Sequence, residues 1–276
     1  YNAQVGLGIA ERCGRKNFEE RVLEKVGLKA APISTQILPP EPLAFFLYAC
    51  CMFSASLAQF GRDGRNLMRT EIAEISEAFE AGQVGSSTMA HKRNPINFEN
   101  TEGQWIRNKN EFGKVQDALI SEHQRDLVGS SVMRDFPIIL INTQYQLNTL
   151  RRKGADGAPF LRRLSVDPDR CRENIGRSTY VVLAEPLYIA LQMAGYKGDA
   201  HELVNRTLVP AAQANQRQLI DELVCASEHD SDVRHALDNI PKAVYELLHH
   251  PTRYTGNAAL KTLEVADAAD EFISAA

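Results

Sequence analysis

Between Glu80 and Phe98 the sequence gathers groups that could do chemistry on a carboxylate. Gly82 and Gly85 give backbone freedom, Ser86, Ser87 and Thr88 offer three hydroxyls, Lys92 a cation and Asn94 an amide. Pro95 biases Asn94 away from helical geometry, so a loop should end there and a helix begin soon after. Hydroxyls, an ammonium and an amide on one loop are suited to holding carboxylates. A solvated polar loop has the same composition, and composition alone leaves the two readings level.

A second concentration of polar groups is Gln124-Arg-Asp-Leu-Val-Gly-Ser-Ser-Val-Met-Arg134. On one continuous helix Arg125 and Arg134 would point to opposite faces, because nine residues at about 100° each turn through roughly half a revolution. Gly129 permits a break. Ser130 is then expected to cap a new helix, with Arg134 one turn later on the same side. A helix N-terminus, the hydroxyls of Ser130 and Ser131 and two arginines could converge on a phosphate. A capped helix with surface arginines fits the same pattern.

Helices must position both segments. From Pro42 to about Ala81 apolar residues recur at Leu43, Phe46, Leu47, Cys50, Phe53, Leu57, Phe60, Leu67, Ile72, Ile75 and Phe79, steps of three and four that draw a stripe along one helix face. Forty helical residues would extend about 60 Å, which calls for comparably long neighbours and hence a bundle. Gly61 and Gly64 are places where it could bend. Further long helices are expected from about Asn97 to Ser121 and from Ser130 to about Arg152. The Gly- and Pro-rich run Lys153-Gly-Ala-Asp-Gly-Ala-Pro159 marks a domain boundary. Shorter helices should follow it, with Asp167-Pro168 as a start, Gly195 as a stop and Asp199 with Glu202 as a capping box. The expected fold is all-α. A long-helix bundle domain over 1–160 carries both polar segments, and a smaller helical domain covers 161–276.

The chain has 276 residues, 44% hydrophobic and 24% charged, with a formal net charge of −4. That is the composition of an ordinary globular protein. No run of Lys and Arg exceeds three residues, which argues against nucleic acid as a partner while leaving room for a local anion pocket. No apolar stretch reads as a membrane span, and no signal peptide is visible. Cys13, Cys50, Cys51, Cys171 and Cys225 have no metal-ligand spacing and read as buried, reduced thiols of a cytoplasmic protein.

The order of residues in the first segment narrows its chemistry. Gly85-Ser-Ser-Thr-Met-Ala-His-Lys-Arg-Asn-Pro95 resembles the Gly-Ser-Ser-x-Met-Pro-x-Lys-x-Asn-Pro signature of the aspartase/fumarase superfamily, departing from it at Ala90, where the family has proline. The departure removes a backbone restraint but no reacting group. The resemblance implies that Ser86 is the general base, its alkoxide stabilised by Lys92 and by loop N–H groups. Lys92 and Asn94 would hold the substrate carboxylates and the developing carbanion, with Glu99 supporting both, and Ser87, Thr88 and Met89 would line the substrate. Within the superfamily, Arg125-Asp-x-x-x-Ser130-Ser131-x-x-x-Arg134 is similar to the phosphate-holding pattern of the adenylosuccinate lyase branch. Ser34-Thr35-Gln36 resembles that branch's Thr-Gln segment, in which the glutamine contacts substrate. Leu183-Ala-Glu-Pro186 and Tyr254-Thr-Gly-Asn257 resemble its bacterial members.

The resemblance implies β-elimination of fumarate from adenylosuccinate, giving AMP, and from the succinyl-carboxamide ribotide of purine synthesis. It implies a small nucleotide substrate, no metal or organic cofactor, no membrane partner, and a homotetramer with active sites shared between subunits. A family segment bearing the general-acid histidine has no counterpart here, so this chain is expected to supply the base loop and the clamp but not the acid. Two alternatives stand: another dicarboxylate lyase or cycloisomerase of the superfamily, and a non-catalytic helical-bundle relative. His91 lies inside the first segment and His123 next to the second, and the remaining histidines read as surface or capping residues. Trp105 reads as packing, and Asp126 as either an orienter of Arg125 or an exposed acid.

Overall fold

The computed structural model describes residues 8, 12, 18–78, 94–124 and 126–275. Among the described residues 68% are helical and 2% strand, as the apolar periodicity predicts. It divides into two compact units, one of Tyr1–Thr70 with Ile75–Ser165, the other of Glu71–Glu74 with Val166–Ala276.

In the first unit a short helix, α1 (Phe18–Glu24), precedes α2 (Glu41–Leu67), α3 (Ile96–Asp117), α4 (Leu127–Val132) and α5 (Pro137–Arg151), with a 3-10 turn at Met133–Asp135. The long helices α2, α3 and α5 pack on one another. Two apolar clusters hold them. One joins Leu47, Cys51, Val115, Phe136 and Ile139, with Trp105 against it, as its packing role predicts. The other joins Phe98, Leu150 and Phe160, with Leu57, Met68 and Ile75 around them.

A buried polar layer runs through the same three helices. Asn108 Nδ2 donates to Ser54 Oγ and to Thr143 Oγ1, both at 3.0 Å, while its Oδ1 accepts from Asn142 at 3.0 Å. Gln146 accepts from Ser54 Oγ at 2.7 Å and donates to the carbonyls of Ser54 at 3.1 Å and Thr101 at 2.8 Å. Sliding one helix past another would leave these buried groups unpaired, so the layer specifies register.

Helix α2 ends at Leu67 rather than near Ala81. Ala73 takes a positive φ of 53°, and Ile75–Ser76 is a short strand, β1; Ser165–Val166 forms a second, β2, and the hydroxyls of Ser76 and Ser165 lie 2.7 Å apart. Ile72 and Ile75 keep the helical spacing but lie on this returning segment, and Ile75 joins the Phe98 cluster. Phe79 lies outside the described residues. Gly61 and Gly64 serve close packing. A Cβ on Gly64 would come within 2.4 Å of the Phe98 ring, and one on Gly61 within 2.8 Å of the Phe98 carbonyl oxygen.

The expectation that no stretch is long and apolar enough to cross a membrane does not hold, since α2 meets that test by length and composition. Its apolar residues occupy two faces. One packs inward at Leu47 and Cys51, and the other leaves Phe45, Phe46 and Met52 half or more exposed.

The second unit has one large core. Leu187 and Leu191 on α7 (Ala184–Met193) pack with Val204, Leu208, Ile220, Leu223 and Val233. Its helix starts follow the sequence. Asp167 caps α6 (Pro168–Gly176) by accepting from the N–H groups of Asp169 at 3.1 Å and Arg170 at 3.0 Å. Gly195, at φ 86°, stops α7. Asp199 accepts from Glu202 N at 2.9 Å to start α8 (Ala200–Glu202), which continues through a π turn at Leu203–Leu208 into α9 (Val209–Asn215). Then come α10 (Leu219–Ser227), α11 (Ser231–Asn239), α12 (Lys242–Leu248) and α13 (Ala258–Ala275), the last with none of its residues buried. Cys51 is buried, but Cys225 is exposed, against expectation. Burial, followed by the neighbouring Cys50, pushes the Cys51 thiol up to about 11.

Candidate active site

The expected site residues that are described fall at opposite ends of α3. Ser86, Ser87, Thr88, Met89 and Lys92 lie outside the described residues, as do Ala90, His91 and Arg125. Asn94 is half-buried, two residues before α3 begins at Ile96, and Glu99 sits exposed in the first turn, its N–H donating to Pro95 O at 2.9 Å.

What fixes this end of α3 is Glu77, a residue the sequence did not single out. Its side chain is buried, and its Oε1 accepts from the backbone N–H groups of Asn97 and Phe98, each at 3.1 Å. Its Oε2 accepts from Asn97 Nδ2 at 2.6 Å. Glu77 therefore caps a helix that starts nineteen residues later, at Ile96, satisfying N–H groups that no helical carbonyl reaches. Burial pushes the Glu77 carboxyl above its ordinary value, against the pull of these donors and of Arg152 in the other direction. Asn97 in turn accepts, through Oδ1, from Arg152 Nη2 at the end of α5. The Phe98 ring anchors the same turn, edge-on to Phe60 and Phe160 with centroids 5.5 Å away in each case.

The other end of α3 opens into a cavity of about 970 Å³. That is near the top of the roughly 300–1,000 Å³ typical of small-molecule sites. Its walls come from the 31–43 segment, the end of α3, and the 124–134 segment. Ser130 and Arg134 line it with Ser121, Gln124 and Asp126, beside an apolar wall that includes Ile33, Ile37, Leu38, Ile120, Val128 and Met133. Ser131 and Gln36 are exposed and are not among the lining residues, although Gln36 sits between Ile33 and Ile37 in sequence. The apolar wall was missed by sequence reasoning; its one signal was the Ile37-Leu-Pro-Pro run.

Ser130 does not cap a helix here. Asp126 is the N-cap of α4, accepting from Gly129 N at 2.7 Å, and both Gly129 and Ser130 lie inside the helix. The break comes later, at the 3-10 turn that carries Arg134 ahead of Pro137. A carboxylate thus occupies the start of α4, and no helix starts at Ser130, where one was expected to receive a phosphate. Among the described residues no group of three or more His, Cys, Asp and Glu could hold a metal ion.

α3 spans 22 residues, so at a rise of about 1.5 Å per residue its two ends lie about 32 Å apart. Asn94 and Arg134 of one chain therefore cannot grip the same small molecule. The first unit brings Ser130 and Arg134 together and keeps both far from Asn94.

A family model described as lyase matches residues 5–107. The adenylosuccinate lyase of Pyrococcus horikoshii is 36% identical over 217 residues, covering 76% of this chain and 46% of that protein. The adenylosuccinate lyase of Bacillus subtilis is 31% identical over 206 residues, 74% of this chain and 46% of its own length. Among solved structures, the 3-carboxy-cis,cis-muconate lactonizing enzyme from Pseudomonas putida is 26% identical, with a TM-score of 0.69 over 92% of this chain and 53% of that one. Bundle, sequence and relatives together place the chain in the aspartase/fumarase superfamily of lyases. It spans about half the length of the curated relatives it matches.

Proposed function

We propose that the protein containing this chain is an adenylosuccinate lyase, releasing fumarate from adenylosuccinate and from the related succinyl-carboxamide ribotide. The observation that carries this reading is the cavity lined by Ser130 and Arg134 beside the Thr35-Gln36 segment, in a chain whose 30–36% identical relatives are named adenylosuccinate lyases. Arg134, with Arg125, supplies the charge that a nucleotide phosphate needs, and the apolar wall suits the flat face of a base. Gln36, Ser130 and Ser131 add hydrogen bonds to the nucleotide, and Ser87, Thr88 and Met89 contact the succinyl end.

In this reading Ser86 removes the proton from the carbon beside a succinyl carboxylate, leaving its electron pair as a carbanion. Lys92 and Asn94 hold the carboxylate that takes up this charge, and Glu99 orients them. The pair then forms the double bond of fumarate as the C–N bond breaks, and the leaving nitrogen receives a proton from a histidine outside this chain. The two ends of α3 lie too far apart for one copy, so Asn94 of one subunit works with Arg134 of another, in the homotetramer that the superfamily resemblance implies. The exposed apolar face of α2, with Phe45, Phe46 and Met52, is suited to such an interface. The cytoplasm is the expected compartment.

The test is the loss of adenylosuccinate absorbance with release of fumarate by the intact protein. Ser86→Ala should leave binding and remove turnover, and undiminished fumarate release from that variant overturns the assignment. A cycloisomerase is the second reading, favoured by the 26% identical muconate lactonizing enzyme. Unchanged activity of Arg134→Ala on the phosphorylated substrate would select it.

A further inference from the structure

Glu77, Asn97 and Arg152 form a chain of hydrogen bonds with a fixed polarity. Arg152 has only donors, so it fixes Asn97 with Oδ1 towards the guanidinium. Asn97 must then turn its NH₂ to Oε2 of Glu77, whose Oε1 takes the N–H groups of Asn97 and Phe98. Every group in the chain is matched in one direction only. Glu77 is 5% and Asn97 8% exposed, so water offers little substitute for a lost partner. Glu77 and Asn97 also flank residues 79–93 at both sides, and Asn94 stands three residues before Asn97.

We infer that the Arg152–Asn97–Glu77 relay is a positioning device that holds Asn94 and the start of α3 in register for the reaction. This rests on the lyase reading for the chemistry it serves, but not for its geometry. Glu77 touches no substrate and acts through the backbone of Asn97 and Phe98.

Glu77→Gln is nearly isosteric but places an NH₂ where Asn97 already presents one. If Asn97 flips to accommodate it, its NH₂ meets the Arg152 guanidinium. Combining Glu77→Gln with Asn97→Asp restores a donor–acceptor match along the whole chain. In the intact protein, Glu77→Gln should lower kcat by about tenfold to a hundredfold with KM nearly unchanged, the size expected for a misplaced reacting group. The double variant should recover most of it. Amide hydrogen exchange at Asn97 and Phe98 should rise in the single variant and fall back in the double. A single variant whose kcat per folded molecule equals wild type overturns the inference, as does a double variant no better than the single. If the wild-type protein releases no fumarate, the lyase reading falls instead. The exchange measurement then decides alone, and unchanged protection at Asn97 and Phe98 in Glu77→Gln refutes the relay.

Discussion

The two ends of α3 are built on opposite principles. At the Ile96 end a carboxylate, two backbone N–H groups, an amide and a guanidinium are matched atom to atom, and Phe98 is wedged between Gly64 and Phe160. At the Asp117 end the chain turns through short helices around an open cavity walled by exposed residues such as Leu38, Ile120 and Val128. At the first end the described polar groups find their partners within the chain. The second presents apolar surface and, among its described lining residues, Arg134 to whatever fills or covers it. Under the proposed lyase reading, this difference would put placement of Asn94 at the first end and nucleotide recognition at the second.

Substitutions should separate the two ends, stability responding at one and binding at the other. Phe98→Ala, which empties the centre of the closed end, should cost about 3–5 kcal/mol in denaturant unfolding. Gly64→Ala drives a methyl group into the same ring and should cost about 1–3 kcal/mol. At the open end Arg134→Ala should leave the unfolding midpoint unchanged while weakening the phosphorylated substrate by about 1.5–3 kcal/mol in a binding titration, the worth of hydrogen bonds to a charged group. Equal loss of stability at both ends would erase the contrast.

The smallest effect is on pH. Because the Glu77 carboxyl is raised above its ordinary value, the folded chain binds more protons than the unfolded chain between those two values. Its contribution to stability is therefore present below the ordinary value and lost as pH rises through the raised one. The stability of wild type relative to Glu77→Gln should shrink from pH 4 to pH 7, with no such trend for Arg134→Ala.

Much of this was legible in the sequence, unevenly. Helical spacing and the capping residues Asp167 and Asp199 mark their elements because a short-range pattern decides them. The end of α2 was not legible, since Ile72 and Ile75 continue the helical period and only the return of the chain to Phe98 overrides it. Glu77 falls on that same return, where an acid in an apparent helix reads as solvated polar face. Its partners are twenty and more residues away, beyond any local signal. Ser130 was expected to cap a helix, and Asp126, read as an orienter of Arg125 or an exposed acid, is the cap instead. The chemistry of 85–95 was legible only through its resemblance to a known signature.

The central claim is that the reacting groups beside Asn94 and the clamp at Arg134 meet only between copies of the chain. Ser86→Ala and Arg134→Ala variants of the intact protein, each nearly inactive with adenylosuccinate, should be unfolded together and refolded as a mixture. Shared sites predict that some sites draw both wild-type segments, so fumarate release rises well above that of either variant refolded alone. A mixture no more active than the average of its two parents would contradict the account.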